Sequence, residues 1–428
     1  MIVLLFNASL AYSEGADRIQ LTWDTVLAQA IEASFDRKLA ETDVAISRKE
    51  QAIVKADYLP SIQGRFATEY QKDLDNTGFQ PVVSVGNTVL PTGTRYQTSA
   101  GLSGQITLVD FGERRAKRLS ARSETARQEA KLAEAIKLTR LRALETYKQA
   151  FVAFQQWEYQ QRLVPLHQQL YGISKRLSDA GVISKIQLAD DAIALAQRLS
   201  DVEKAKQDWV EALGPLRLLT LQPYDPENIA LTGFTEITAP IQLATAQQPE
   251  VQALGFEIEK KRREQASIRS QLLPKVSSYS SYSLYGANAT RWAGSVSNLQ
   301  QRLWTLGISV QLPITDTVRT TLESQRAQLQ IDRLTLEKAK KETELQQQWD
   351  SAQWQANQLD VQQGTQATLL SETGMKEAML SLLSDEQLIE RSTVIRQHLE
   401  ILKRQGDAEL LRAEKAANAI QRQLLAGG

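Results

Sequence analysis

No cysteine occurs anywhere in this chain, which removes thiolate metal ligands, disulfides and thiol chemistry together. It also removes the residue that a bacterial lipoprotein acylates behind its signal. Histidine is nearly absent: His167 and His398 are the only two, far apart in sequence and both within helical segments. They read as packed or solvated helix positions. Missing too are a P-loop, Gly-x-Ser-x-Gly, His-Glu-x-x-His and Gly-x-Gly-x-x-Gly. With no nucleophile, base and metal-ligand set converging, no enzymatic activity and no cofactor are expected. No stretch reaches the roughly 18 apolar residues that a membrane-spanning helix needs.

Net charge is absent as well. Fifty basic and fifty acidic residues cancel over 428 positions, so no strong field favours nucleic acid. Most acids alternate with Lys and Arg, as in the run from Lys338 to Glu344, the mark of a solvated helix face. Residues 1–13 have a short apolar core and a small-x-small end at Ala11-Tyr12-Ser13, but no Lys or Arg precedes that core. They read as the remnant of a signal peptide.

What is present is a duplication. Lys49-Glu50-Gln51-Ala52 leads to Leu59-Pro60, and Arg263-Glu264-Gln265-Ala266 leads to Leu273-Pro274, an offset of 214. Further on, Gly101…Gln105…Asp110 returns as Gly307…Gln311…Asp316, and Ser184…Gln187-Leu188 as Ser384…Gln387-Leu388. The offset shrinks to 206 and then 200, so the second copy is a slightly shortened duplicate. The organisation expected is residues 14–222 for repeat one, 223–248 for a proline-bearing connector and 249–428 for repeat two.

Each copy carries the same parts. A helix, roughly Trp23–Tyr58 or Pro249–Leu273, is closed by a Leu-Pro pair, because proline disfavours helical geometry in the residue before it. After the proline the period changes to an alternation rich in Ser, Thr, Tyr and Gly. Strands are expected at Ser61–Lys72, Thr94–Leu108, Lys275–Tyr285 and Arg302–Leu312. Their lengths suit membrane-crossing β-strands of about 9–11 residues, with a polar alternate face fit for a water-filled lumen. Asp73–Gly93 and Gly286–Gln301 read as loops.

Long helices follow. From Gly112 to Ala180 only Pro165 and Gly172 interrupt a helical composition, and Pro165 is expected to kink the helix. Its return partner carries Leu188, Ala192, Leu195, Leu199, Val202, Lys206, Trp209, Leu213 and Leu216, a heptad seam broken only by Lys206. Copy two keeps the seam from Leu388 to Leu402 and weakens at Gly406 and Glu409. The outgoing helix shows two stripes, Leu132–Phe154 and Leu138–Leu144. Two stripes suit a helix with neighbours on both sides, as in the wall of a tube.

The turns between these helices are the candidate functional positions. Copy one has Gly181, Val182, Ile183 and Ser184, then Gln187, Leu188, Asp190 and Asp191. Copy two has Ser381, Leu382, Leu383 and Ser384, then Gln387, Leu388 and Glu390. Glycine ends the incoming helix and serine caps the outgoing one. That accounts for the serines but not for an acid two residues after the first seam leucine in both copies.

A helix, Leu-Pro, a strand pair, Leu108-Val109-Asp110-Phe111-Gly112, a long helical hairpin, and all of it again: from about Leu21 to Leu425 the chain resembles the TolC-type outer-membrane efflux and secretion channels. The resemblance implies a mostly α fold with a β-barrel portion. A homotrimer would contribute four strands per chain to one twelve-stranded barrel in outer-membrane lipid, and long hairpins would form a periplasmic tunnel. It implies a passive exit duct of a tripartite efflux or type I secretion system. The expected partners are a periplasmic adaptor (membrane fusion protein) and an inner-membrane transporter. It makes Asp190 and Glu390, with Asp191, Gln187 and Gln387, candidates for the gate. The adaptor would dock at Gly181, Val182, Ile183, Ser184, Ser381, Leu382, Leu383 and Ser384. Copy two departs from the pattern at Pro313–Asp316 and at Ser381. A non-channel coiled-coil adaptor or scaffold is the alternative, though it has no use for four Ser/Tyr-rich strands.

Overall fold

A computed structural model describes residues 18–72, 83–85, 88–90, 95–235, 242–288, 290–313, 317–385 and 391–427. The expected signal remnant, Asp316, Gln387 and Glu390 lie outside the described residues. In chain order the elements are β1 (Ile19–Leu21), α1 (Trp23–Ala33), α2 (Phe35–Ala56), β2 (Ser61–Gln71), β3 (Val83–Val85), β4 (Thr88–Leu90) and β5 (Arg95–Val109). Next come α3 (Glu113–Asp179), α4 (Lys185–Thr220), β6 (Ile229–Leu231), α5 (Pro249–Ser270), β7 (Lys275–Asn288) and α6 (Trp292–Ser297). The chain ends with β8 (Gln301–Gln311), α7 (Thr317–Asp385) and α8 (Arg391–Ala426). The fold is mostly α, built from two tandem repeats, with all four expected strands present.

Several boundaries differ from expectation. The first helix is two, because Ser34 turns to an extended ψ of 116° and its hydroxyl accepts from the Arg37 backbone N–H at 3.3 Å. A cap inside the expected span restarts the helix. Pro165 does not divide α3, which runs unbroken for 67 residues, about 100 Å at 1.5 Å per residue. The expected loop of copy one holds the paired β3 and β4, and that of copy two holds the last turn of β7 and the short α6. The connector also contributes structure: β6 pairs in parallel with β1.

Contacts divide the chain into two compact units, each drawing on both repeats. One comprises residues 43–128 and 253–338. At its centre is an antiparallel sheet of order β2-β5-β7-β8, so the hairpin of copy one joins the hairpin of copy two through β5 and β7. Register assigns the faces. Ile62, Phe66 and Tyr70 lie with Leu102, Leu284 and Tyr282, then Trp304, Leu306, Ile308 and Val310. The other face carries Gln63, Arg65, Glu69, Gln97, Ser103, Gln105, Ser281, Ser283, Thr305 and Ser309. The apolar face is open: Ile62 is 72% exposed, Trp304 69% and Ile308 69%. At one end α6 lies on that face, held by a hydroxyl chain in which Thr98 stands 3.0 Å from Thr68 and 2.7 Å from Ser295. Gly286 permits the approach, since a Cβ there would meet the Ser295 carbonyl oxygen at 2.2 Å.

Beside the sheet, α3 and α5 are joined by ions. Glu124 accepts from Arg127 at 2.6 and 3.0 Å and from Gln128 at 2.6 Å, and it pairs with Lys260 at 3.0 Å. Burial alone would raise its carboxyl, but these partners outweigh it and hold the pKa down at about 2.

The second unit comprises residues 1–42, 129–252 and 339–428. Its core gathers the α3 stripe (Ala143, Tyr147, Phe151, Phe154, Trp157) with Trp209, Leu213 and Leu216 of α4, Trp23 and Val26 of α1, and Ala417 and Ile420 of α8. Tyr147 packs against Trp23 at 5.8 Å and Phe234 at 5.2 Å. Its hydroxyl lies 2.9 Å from the Leu21 carbonyl of β1 and 2.6 Å from that of Thr232, the residue just past β6. Burial pushes this phenol up to about 12, so it stays a neutral donor. The Trp209 indole N–H donates to the Pro226 carbonyl at 3.1 Å, which ties the connector to the seam. In copy two the buried face runs through Ile395, Ile401, Ala408, Ala413, Ala416 and Ile420, while Glu409 stays exposed. The seam therefore slips by one residue where the heptad weakens. Alanines let the helices approach where copy one uses large side chains.

One buried ion pair stands out. Lys137 of α3 reaches Glu250 at 3.1 and 3.3 Å and the Gln248 amide oxygen at 2.7 Å, with side chains 7% and 9% exposed for the ionic partners. Removing one ion strands the other in a poorly hydrated site. Lys137→Ala is expected to cost about 3–5 kcal/mol, whereas Lys137→Met combined with Glu250→Leu should cost far less; thermal unfolding of both variants measures the difference. Glu124 sets a pH dependence. Its folded pKa lies below the usual 4.5, so its contribution is complete above that value and disappears as pH falls through about 2. Allowing for solvent screening, Glu124→Gln should flatten the acid limb of stability by on the order of 1–2 kcal/mol, read from denaturant melts between pH 5 and 2.

Candidate functional site

The strand-to-helix junction of copy one is built around Asp110. One carboxylate oxygen accepts from the Gly112 N–H at 3.1 Å, and the other from the Arg114 N–H at 3.1 Å and its Nε at 2.6 Å. Arg114 also donates to the Thr107 carbonyl at 2.8 Å and lies 4.8 Å above the Tyr58 ring. One acid therefore caps α3 and pins it to the end of β5 and the end of α2. Burial raises the Asp110 pKa, but Arg114 and the two backbone N–H groups outweigh it, and the net shift is down. Phe111 at φ 48° and Gly112 at φ 99° make the turn, and only the glycine adopts that region without strain. The i,i+4 spacing of Asp110 and Arg114 was the available signal for this fork.

At the tip of the first hairpin, Gly181 has φ 75° and the Val182 N–H reaches back to the Leu177 carbonyl at 2.8 Å, closing α3. Ser184 caps α4, its hydroxyl accepting from the Gln187 N–H at 3.2 Å. The two expected acids separate here. Asp190 is exposed. Asp191 is half-buried and accepts a hydrogen bond from the Ser174 hydroxyl across the hairpin, as a brace between α3 and α4. Val182 and Ile186 at the turn are exposed, and Ile183 is half-buried.

The second tip is not a copy of the first. Ser384 was expected to cap the return helix, but α7 continues to Asp385 and includes it. Ser381 stands where the first tip has Gly181, so no residue suited to positive φ stops the helix there. Ser381, Leu382 and Leu383 are exposed on its last turns. Above this tip His398 Nδ1 lies 2.6 Å from Glu377 Oε1, joining α8 to α7. His167 lines an open groove with Tyr159, Gln160, Arg198, Leu399 and Lys403. Burial lowers its pKa, Arg198 lowers it further and Asp191 partly opposes them. Among the described residues no group of three acidic or histidine side chains gathers to hold a metal ion, and no helix is long and apolar enough to cross a membrane.

Residues 26–220 match the family described as outer membrane efflux protein. Among solved structures the chain is similar to CusC (17% identity, TM-score 0.76, covering 98% of this chain and 96% of that one). It is similar also to the CmeC outer-membrane channel of Campylobacter jejuni (15%, 0.74, 94% and 85%) and to VceC of Vibrio cholerae (13%, 0.73, 95% and 96%). No curated protein matches the sequence. The family match covers most of repeat one, and over the whole chain the likeness to these channels is one of fold.

Asp110→Ala removes a cap and the partner of a stacked arginine at once. A loss of about 1–2 kcal/mol is expected, and it should shrink at pH values below the usual aspartate range, where the parent's carboxylate also protonates. Urea melts at two pH values check both parts.

Proposed function

We propose that this chain is the exit duct of a tripartite efflux or type I secretion system. Three copies would close one barrel in the outer membrane. The observation that carries the reading is the four-stranded sheet, which has an exposed apolar face, a polar face and two open edges, β2 and β8. In water, edges 11 residues long would invite aggregation, and a broad apolar face would drive association. In lipid the same features are required, provided that the sheet closes on itself and leaves no backbone group unpaired. Four strands are too few to close, and three copies supply twelve. The apolar face then meets lipid, and Gln63, Arg65, Gln105 and Thr305 line water. A soluble adaptor would need neither face nor edges.

The gate is assigned to Asp190, with Glu390 as its counterpart. Symmetry-related carboxylates crowded in a narrow pore attract cations and obstruct solutes. Asp191 is the weaker candidate because it is engaged by Ser174. The periplasmic adaptor, bound in turn to an inner-membrane transporter, docks at the tips. There Val182, Leu382 and Leu383 offer apolar surface beside Gly181, Ile183, Ser184 and Ser381.

Purified from outer membranes and placed in planar bilayers, the protein should conduct as a trimer. Combining Asp190→Ala with Glu390→Ala should weaken block by multivalent cations by roughly tenfold. Conductance without any change in block would remove these acids from the gate. Recovery of the chain only from the soluble periplasm would overturn the duct itself.

A further inference from the structure

The helices attached to the two open edges of the sheet each carry an apolar face that stands exposed among the described residues. On α2, Val44 and Ser47 face inward, while Phe35, Leu39, Ile46 and Ile53 are 51–67% exposed. On the first turns of α7, Thr320, Ala327 and Ile331 face inward, while Val318, Leu322, Leu329 and Leu336 are 60–73% exposed. Both open sets step by 4, 7 and 7 along the sequence. Each therefore spans 18 residue steps, about 27 Å of helix, in a heptad seam.

The two seams also start level. Ile53 stands eight residues before β2 begins at Ser61, and Val318 seven residues after β8 ends at Gln311. Counted away from the sheet, α2 offers Ile53, Lys49, Ile46, Thr42, Leu39 and Phe35 at steps 0, 4, 7, 11, 14 and 18. Over the same steps α7 offers Val318, Leu322, Gln325, Leu329, Asp332 and Leu336. The layers coincide, and each pairs at least one large apolar side chain with the facing position.

Charge sets the orientation. Flanking the α2 seam, Asp36, Asp43 and Glu50 repeat every seven residues on one side. Flanking the α7 seam on the matching side, Arg319, Arg326 and Arg333 repeat every seven. In an antiparallel pair these flanks meet, each acid within about two residues of an arginine's level; in a parallel pair the acids would meet Thr321, Gln328 and Thr335 instead. Arg319 and Arg333 already bridge Glu323 and Glu337 yet keep side chains 80% exposed, so further N–H groups can be shared. We propose that α2 of one copy and α7 of the next form an antiparallel heptad seam in this register, sealed along one side by three acid–arginine pairs. A second copy is the occupant because pairing β2 of one chain with β8 of another sets these two helices side by side. The inference rests on the duct reading and gives it a residue-level interface.

The absence of cysteine makes the test direct. Two differently tagged full-length chains, one bearing Ile46→Cys and the other Gln325→Cys, are co-expressed, extracted in detergent and oxidised, with native mass spectrometry reporting the oligomer. A trimer with a covalent link between the tags is expected. Replacing Gln325→Cys by Asp332→Cys, one heptad further along the seam, should abolish the link. Separately, Asp43→Arg should reduce the trimer fraction several-fold, and adding Arg326→Asp should restore it. A trimer that fails to link, or links equally at position 332, overturns the seam and leaves the duct intact. A chain that is monomeric in detergent overturns both.

Discussion

The pairing of β5 with β7 is the contact on which the rest of this molecule depends. It is the place where the two repeats are hydrogen-bonded into one sheet, running from Tyr96 opposite Asn288 to Val109 opposite Val276. Because side chains alternate across a strand, that single register decides which face collects Ile62, Leu102, Tyr282 and Trp304 and which collects the serines and glutamines. It also places β2 and β8 at the margins, and with them the helices that lead into and out of the sheet.

Helix ends do comparable work at a smaller scale. Asp110 shows how one carboxylate can set the direction of a helix about 100 Å long, since its two oxygens hold Gly112 and both the backbone and side chain of Arg114. Gly181 and Ser184 stop and restart the helix at the first tip within a few residues. Copy two has serine in place of that glycine, and its helix runs on to Asp385. The duplication is thus faithful in strands and in the first half of the return seam, and loose at caps. Single residues decide caps, whereas many residues together hold a seam.

Strands, Leu-Pro boundaries, both hairpins and the first tip were legible from residue order because each rests on a local rule: period two, proline's effect on its neighbour, or glycine and serine at a helix end. Other features were not. The break at Ser34 sits within good helical composition and arises from a hydroxyl that caps Arg37 and meets Thr139 at 3.1 Å. Asp190 and Asp191 are neighbours in sequence, and only packing of α3 against α4 could give one of them Ser174 as a partner. The slip of the copy-two seam onto Ala408 likewise reflects which small residues let helices approach.

The sequence by itself determined that this protein is a duplicated strand-and-hairpin chain with no equipment for catalysis by cysteine and too few histidines for a metal site built on them. It did so because periodicity, caps and composition are properties of short segments. Tertiary structure alone decided the order β2-β5-β7-β8, the burial of Lys137 with Glu250, and which seams are buried and which exposed among the described residues. Those outcomes follow from contacts between residues far apart in sequence, where register and packing choose among partners that local pattern treats as equivalent.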